Sequence, residues 1–418
     1  MRTNRYFYQI GQTVYFVDDD SDNLYEQTLQ EKLDDAKAQY NYFESFKGYE
    51  TTHDSLIQFK NDFNKWNAEI KSIPNCSIDY TKYYNHESAV TMTFKSKSTS
   101  AIKAIHWEPI TYKEFAYFER CNNGGLITLD ERYKNKIVQS YGYDFSSFYP
   151  SMLAMKGFQI PTKEGKLKHF AELDFDNLQY GIYKVKIICN DSNFNKLFAF
   201  SPNNYYTHYA LQFAYENRDR FNIEFDLITD CEHNALVYYT TSLVESTKLF
   251  KPWYNYLMTI KQKFPKNKLV KHLLSSLWGM LIKFKREFYE DEIFDELDIS
   301  ELDGDEETEY KLINERRYKD DSYENGIRIL YEVVKSDNAY CSELARLKPF
   351  FVSFCRVHIG DLIIQEELVN KVIRIHTDGL VFTEPHDFTH LFYYPIPEDK
   401  STGLIKWENV NRYEKLDV

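Results

Sequence analysis

Hydrophobic positions along the chain alternate between a two-residue and a three-to-four-residue spacing, so strands and helices interleave. Tyr6 to Val17 is aromatic and β-branched and predicts a strand whose exit turn is Asp18-Asp19-Asp20. Glu26 to Trp66 has polar faces with spaced aromatics and favours helix. From Thr111, the run T-Y-K-E-F-A-Y-F-E-R is helical and is stopped by Asn122-Asn123-Gly124-Gly125. Ile127, Leu129, Tyr133 and Ile137 lead into a short aromatic strand, Y-G-Y-D-F-S-S-F-Y-P from Tyr141 to Pro150, where proline ends the ladder. A helix-like S-M-L-A-M-K-G comes next, and Gly181 to Cys189 alternates as a strand. Phe250 to Arg286 predicts two helices broken at Pro265, an antiparallel hairpin. Ser342 to Gln365 is a long apolar helix, and Val372 to Phe382 sets two β-rich arms around His376-Thr377-Asp378-Gly379.

Composition bounds this picture. The chain has 418 residues, 43% of them hydrophobic, enough for two or three cored domains. Its net charge of −13 argues against a protein that simply coats nucleic acid, so the distribution of charge matters more than the sum. Phe250 to Arg286 carries nine Lys or Arg residues almost without acids, whereas Glu287 to Glu309 is strongly acidic and reads as a surface insertion, mobile around Asp303-Gly304-Asp305. The six cysteines form no C-x-x-C pair, which suits reduced thiols in a cytoplasmic, reducing compartment. The N-terminus lacks the apolar core of a signal peptide, and no run is long and apolar enough to cross a membrane, so no membrane partner is expected.

Three stretches carry candidate chemistry. Asp144 ends an aromatic strand, the way a strand presents a metal ligand at its tip. Lys271, Ser275, Trp278 and Gly279 share one helix face at three- and four-residue spacing. A lysine there suits phosphate oxygens, and the plainer reading is a solvated basic face. Asp378 taken alone is a turn residue of a hairpin, and the Gly124-Gly125 pair taken alone is a helix cap and turn.

Together, and in this order, these stretches resemble a family-B DNA polymerase, closest to the protein-primed branch of small phages and linear plasmids. The first palm motif of that family, D-x-x-S-L-Y-P, is Asp144 to Pro150 here. The fingers motif K-x-x-x-N-S-x-Y-G is Lys271 to Gly279, with Ser275 for the asparagine and Trp278 for the tyrosine. The second palm motif D-T-D-S is His376-Thr377-Asp378-Gly379, so a histidine replaces the first aspartate. The Y-x-G-G motif keeps only its glycines, Gly124 and Gly125. The resemblance covers about Thr111 to Glu408.

The resemblance implies an α+β right-hand polymerase with a β-α-β-β-type palm, helical fingers and a truncated or absent thumb. The implied domains are an N-terminal domain over 1–110 at the exonuclease position, without that domain's D-x-E motif and so without proofreading; palm over 111–224; a short insertion over 225–249; fingers over 250–286; an acidic insertion over 287–338; and palm again over 339–418. Asp144 and Asp378 become the catalytic acids and, with the Phe145 carbonyl, ligands of magnesium or manganese. Phe145, Ser147, Tyr149, Lys261, Lys271 and Ser275 become dNTP-binding, with Tyr149 rejecting a 2′-hydroxyl. Gly124, Gly125, Ser276, Trp278, Gly279, Arg356 and Thr377 become nucleic-acid-binding. The implied partners are DNA template and primer, dNTPs and a terminal protein primer, in a mobile-element or viral setting. The rival expectation, motivated by His376 and Ser275, is a catalytically reduced fragment that only binds nucleic acid or a partner.

Overall fold

The computed structural model describes residues 5–10, 13–18, 53–74, 76, 78–83, 86–121, 124–290, 294–302, 308–319 and 327–416. The chain forms two units, Met1–Ala104 with Thr247–Met280, and Ile105–Ser246 with Leu281–Val418.

In the first unit the run expected as one strand is two, Arg5–Ile10 and Thr13–Asp18, paired antiparallel with Arg5 opposite Asp18. Asp19 and Asp20 lie outside the described residues. The helices His53–Lys71, His86–Lys103, Thr247–Lys263 and Lys268–Leu281 are also among the described residues of this unit. Sequence reading separates the N-terminal region from 250–286; here they share one core, because their aromatic faces fit. Phe94 stacks on Phe250 at 5.0 Å and meets Trp253 edge-on at 6.3 Å. The Pro265 break is real, and Asn267 caps the helix beyond it: its Oδ1 accepts from the Val270 amide at 3.1 Å. Its Nδ2 donates to the Trp66 carbonyl at 3.0 Å, tying the cap to the N-terminal helices.

The second unit carries the sheets. In the five-stranded one, Lys166–Lys168, Ala235–Val237, Gly181–Ile188 and Tyr205–Thr207 lie in that order, and Glu224–Leu227 also pairs with Gly181–Ile188. Residues expected as a 225–249 insertion are therefore woven into this sheet. The seven-stranded sheet runs Arg412–Leu416, Gly403–Asn409, Ile137–Asp144, Gly379–Phe382, Val372–His376, Ile127–Leu129, and Ile396–Pro397 also pairs with Ile137–Asp144. Ile373, Val381, Ile405 and Trp407 form a buried cluster on it. The acidic stretch expected as a surface insertion contributes strands: Arg286–Glu290, Ile327–Lys335, Tyr310–Lys319 and Ile299–Glu301 make a four-stranded sheet, and 303–305, the part expected to be mobile, lies outside the described residues.

Two helices of this unit are locked together by a buried ion pair. Tyr112–Arg120 opens with a capping box in which Thr111 and Glu114 satisfy each other's backbone amides. Arg346, just before the helix Leu347–Gln365, reaches Glu114 with Nε and Nη2, both at 2.8 Å. Tyr238 donates to the same carboxylate at 2.8 Å and the Gly165 amide at 3.2 Å. No cysteine is in a disulfide. No helix among the described residues is long and apolar enough to cross a membrane.

Candidate active site

The seven-stranded sheet brings the two palm-type motifs side by side. Asp144 ends its strand directly opposite Gly379, and on the other side opposite Ile396. One residue on, the Phe145 amide donates to the Asp378 carbonyl at 3.2 Å. Two aspartates more than 200 residues apart in sequence thus occupy adjoining strand ends. Gly379 lies beside the Asp144 carboxylate: a Cβ there would sit 3.8 Å from Asp144 Oδ1, an ordinary contact.

Backbone geometry fixes both acids. His376 pairs with Gly379, so Thr377 and Asp378 are the two loop residues of the hairpin. Asp378 is thus a turn residue, and the positive φ of the turn falls on Thr377, at +61°. A β-branched residue is strained there, and its amide is held by the Leu126 carbonyl at 2.8 Å. Ser147 is also left-handed, at φ +59°, and stands at the N-terminus of the helix Phe148–Ala154. Pro150 sits in that helix's first turn, where its missing N–H is harmless. Gly142 on the Asp144 strand is needed for a crossing: a Cβ would lie 1.9 Å from Ser401 Oγ, and its amide donates to Thr402 Oγ1 at 2.9 Å. Sequence reading passed over Gly142, whose only signal is a glycine inside a strand.

The glycine pair joins this site. Asn122 and Asn123 lie outside the described residues, and the helix Tyr112–Arg120 is already closed at Cys121, so the glycines are not its cap. A Cβ on Gly125 would lie 2.8 Å from Thr377 Oγ1 and 3.4 Å from the Tyr149 hydroxyl. Arg356, from the long helix, donates to the Gly124 carbonyl at 2.7 Å. Arg356 therefore acts on the glycine loop. Burial draws its guanidinium down to about 10, and it stays cationic at neutral pH. Tyr149 packs on Phe351 at 5.6 Å, and burial pushes its phenol up.

Electrostatics distinguishes Asp378. Burial raises its carboxyl above the usual range, against the opposing pull of His376 and Lys400. Lys400 is raised first by its bond to Glu398, 2.7 Å away, and further by the charge of Asp144. Glu398 and Lys400 are neighbours that no motif signalled. His376 does not stand in for a carboxylate toward Asp144: its Nε2 meets Asn411 Oδ1 at 3.0 Å. Among the described residues, no group of three or more His, Cys, Asp or Glu side chains is arranged to hold a metal ion.

The predicted phosphate-binding residues lie in the first unit. On Lys268–Leu281, Leu269, Val270, Leu273, Leu274, Leu277 and Leu281 are buried, and Lys271, Ser275 and Gly279 stand on the exposed face. Ser276 and Trp278 flank that face half-buried, and Lys261 lies in the last turn of Thr247–Lys263.

No protein-family model matches the sequence, and no curated protein matches it. Solved structures do. Phi29 DNA polymerase complexed with primer-template DNA and incoming nucleotide is similar at a TM-score of 0.53 and 15% identity, over 86% of this chain and 56% of that one. Its orthorhombic crystal form gives 0.53 and 14%, over 88% and 61%. Its binary complex with primer-template DNA gives 0.51 and 14%, over 86% and 56%. The chain thus spans 56–61% of the length of these polymerase structures. At such identity the likeness is one of architecture: this chain is built on the mixed α/β fold of phi29 DNA polymerase.

Proposed function

We propose that the chain is a template-directed DNA polymerase core that adds dNTPs to a primer 3′-hydroxyl by two-metal phosphoryl transfer. The observation that carries the reading is the register of Asp144 against Gly379, beside Asp378, in a chain with this fold. The neighbours' complexes with primer-template DNA and nucleotide support DNA and dNTPs as partners.

The donor set suits a divalent ion. Two carboxylates and the Phe145 carbonyl leave coordination positions for phosphates and water, which is the habit of magnesium; manganese is the alternative. The buried charge of Asp378 favours a cation partner. Asp144, Asp378 and the Phe145 carbonyl would hold such an ion, which when bound would supply charge stabilisation to the attacking and leaving oxygens. The hydroxyl of a DNA primer, or of a terminal protein, attacks the α-phosphate, and pyrophosphate leaves. Tyr149, wedged between Phe351 and Gly125, closes the sugar pocket against a 2′-hydroxyl. Lys271 and Lys261 neutralise the triphosphate, and Ser147 and Ser275 line the nucleotide. Gly124, Gly125, Thr377, Ser276, Trp278 and Gly279 accommodate the strands through backbone and stacking, and Arg356 positions the Gly124 loop.

Primer extension tests the reading. Wild type with Mg²⁺ extends with dNTPs and far more slowly with rNTPs. Asp144→Asn loses on the order of 10³-fold in rate and keeps DNA binding. Extension by that variant at the wild-type rate would overturn the assignment. The engagement of His376 with Asn411 favours a second reading, a polymerase-like chain that binds nucleic acid without catalysis; wild type that binds primer-template and incorporates nothing would establish it.

A further inference from the structure

The helices His86–Lys103 and Thr247–Lys263 pack together in the first unit. Besides the Phe94–Phe250 stack, the Ser98 hydroxyl donates to the Leu249 carbonyl at 2.5 Å, and the Lys97 ammonium lies 3.9 Å over the Tyr256 ring. Burying those strips turns the other positions outward. Lys95, Thr99 and Lys103 are exposed at four-residue spacing on the first helix, and Lys248, Lys251 and Asn255 at three- and four-residue spacing on the second. The charge here is one-sided. His86–Lys103 carries three lysines to one glutamate, and 247–281 carries seven lysines and no acid, in a chain of net charge −13. His53–Lys71 of the same unit balances three lysines with three acids. Among the described residues, Lys95, Lys103, Lys248 and Lys251 form no ion pair, whereas Lys71, Lys134, Lys335 and Lys371 each lie against a carboxylate.

We infer that these two helices present a binding surface for the phosphate backbone of a DNA strand. The choice of DNA among polyanions rests on the polymerase reading. Lysines held close together without counter-charges repel one another, and a polyanion removes that repulsion while releasing its own counterions. Thr99 and Asn255 between them are uncharged, so a phosphate meets no opposing carboxylate on these faces. Lys95 and Lys103 stand about 12 Å apart along their helix. That spacing makes a row rather than a pocket, which suits a repeating anion better than one small ion. Met92 is the only large apolar side chain exposed on these two helices among the described residues, too little for a protein interface. Contacts of this kind hold a strand without reading its sequence, as template-directed synthesis requires. His86–Lys103 also precedes the stretch that carries the polymerase-like motifs, so none of them gives it a role.

The test uses the full chain and two fluorescent probes, a DNA single strand and a duplex, titrated between about 50 and 200 mM salt. The variant Lys95→Gln/Lys103→Gln/Lys251→Gln should bind more weakly and reduce the slope of log affinity against log salt by about 2 on the single strand or about 3 on the duplex. The probe that shows the change identifies the form of DNA held. Arginine at the same three positions should keep the wild-type slope, and both variants should keep the wild-type thermal midpoint. An unchanged slope in the glutamine variant on both probes, or a loss in the arginine variant, overturns the inference and leaves the polymerase reading intact. An equal loss in Lys134→Gln/Lys335→Gln/Lys371→Gln also overturns it, since net charge alone would then be acting. Polyglutamate that displaces the probes as well as unlabelled DNA does overturns DNA as the occupant. Wild type that binds with this lysine-dependent slope yet incorporates no nucleotide overturns the catalytic reading and upholds the surface. Wild type that binds neither probe overturns both.

Discussion

Asp130 and Asp378 sit at opposite ends of one pair of strands and are treated in opposite ways. Ile127–Leu129 runs antiparallel to Val372–His376, and the Asp130 amide donates to the Ile373 carbonyl at 2.8 Å. Asp130 is buried, which alone would raise its carboxyl. Hydrogen bonds from Arg132 and from Lys196, at 2.7 Å, outweigh burial and hold it down at about 2. The pair is asymmetric: burial draws Lys196 down, while Asp130, with two cationic partners, keeps its charge. Asp378 has burial without such a clamp and is pushed up. Glu114, fully buried beneath Arg346, Tyr238 and the Gly165 amide, belongs with Asp130. A buried carboxylate whose partners come from its own chain is architecture. One raised by burial at an open strand end suits a cation from outside.

That contrast can be broken from the architectural side first. Arg346→Met leaves the Glu114 carboxylate buried and should cost about 3–5 kcal/mol of stability, read as a fall in urea midpoint; a loss below about 1 kcal/mol would deny the lock its role. Next comes acid. The folded-state value of Asp130 lies below its unfolded one, so its contribution is present above roughly pH 4 and is lost as pH falls toward about 2. The amount is about 2 kcal/mol, and Asp130→Asn should remove that part of the pH dependence in a denaturation series. The smallest effect sharpens the other side. Thr377→Gly relieves the left-handed strain and should raise stability by about 1 kcal/mol while slowing primer extension, because the Asp378 turn is less firmly set. Thermal melting and extension rates together check it.

Much of this was legible in the chain. Asp144 is written as the end of an aromatic strand, and the two helices follow from apolar spacing and the break at Pro265, whereas the Asn267 cap emerges only from the structure. The adjacency of Asp144 and Asp378 follows from family order, and the fold supports it through register. Other features were not legible, for physical reasons. Thr377 bears the positive φ because the register closes at His376–Gly379, which only pairing can decide. Gly142 is required by Ser401, a contact across 259 positions that no local rule anticipates. The shared core of the N-terminal helices and 247–280 depends on Phe94 meeting Phe250 and Trp253, ordinary aromatics until packed. The acidic run looked like solvated surface because charge dominates its composition; its strands pair through backbone, which charge does not reveal.

On the proposed function, the Asp378 end receives a divalent cation. Thermal midpoints of wild type and Asp378→Asn, each in EDTA and in Mg²⁺ at neutral pH, test it most directly. The variant should melt above wild type in EDTA, having lost a buried charge, and Mg²⁺ should raise wild type alone. A variant that melts below wild type in EDTA and responds to Mg²⁺ to the same extent would contradict it.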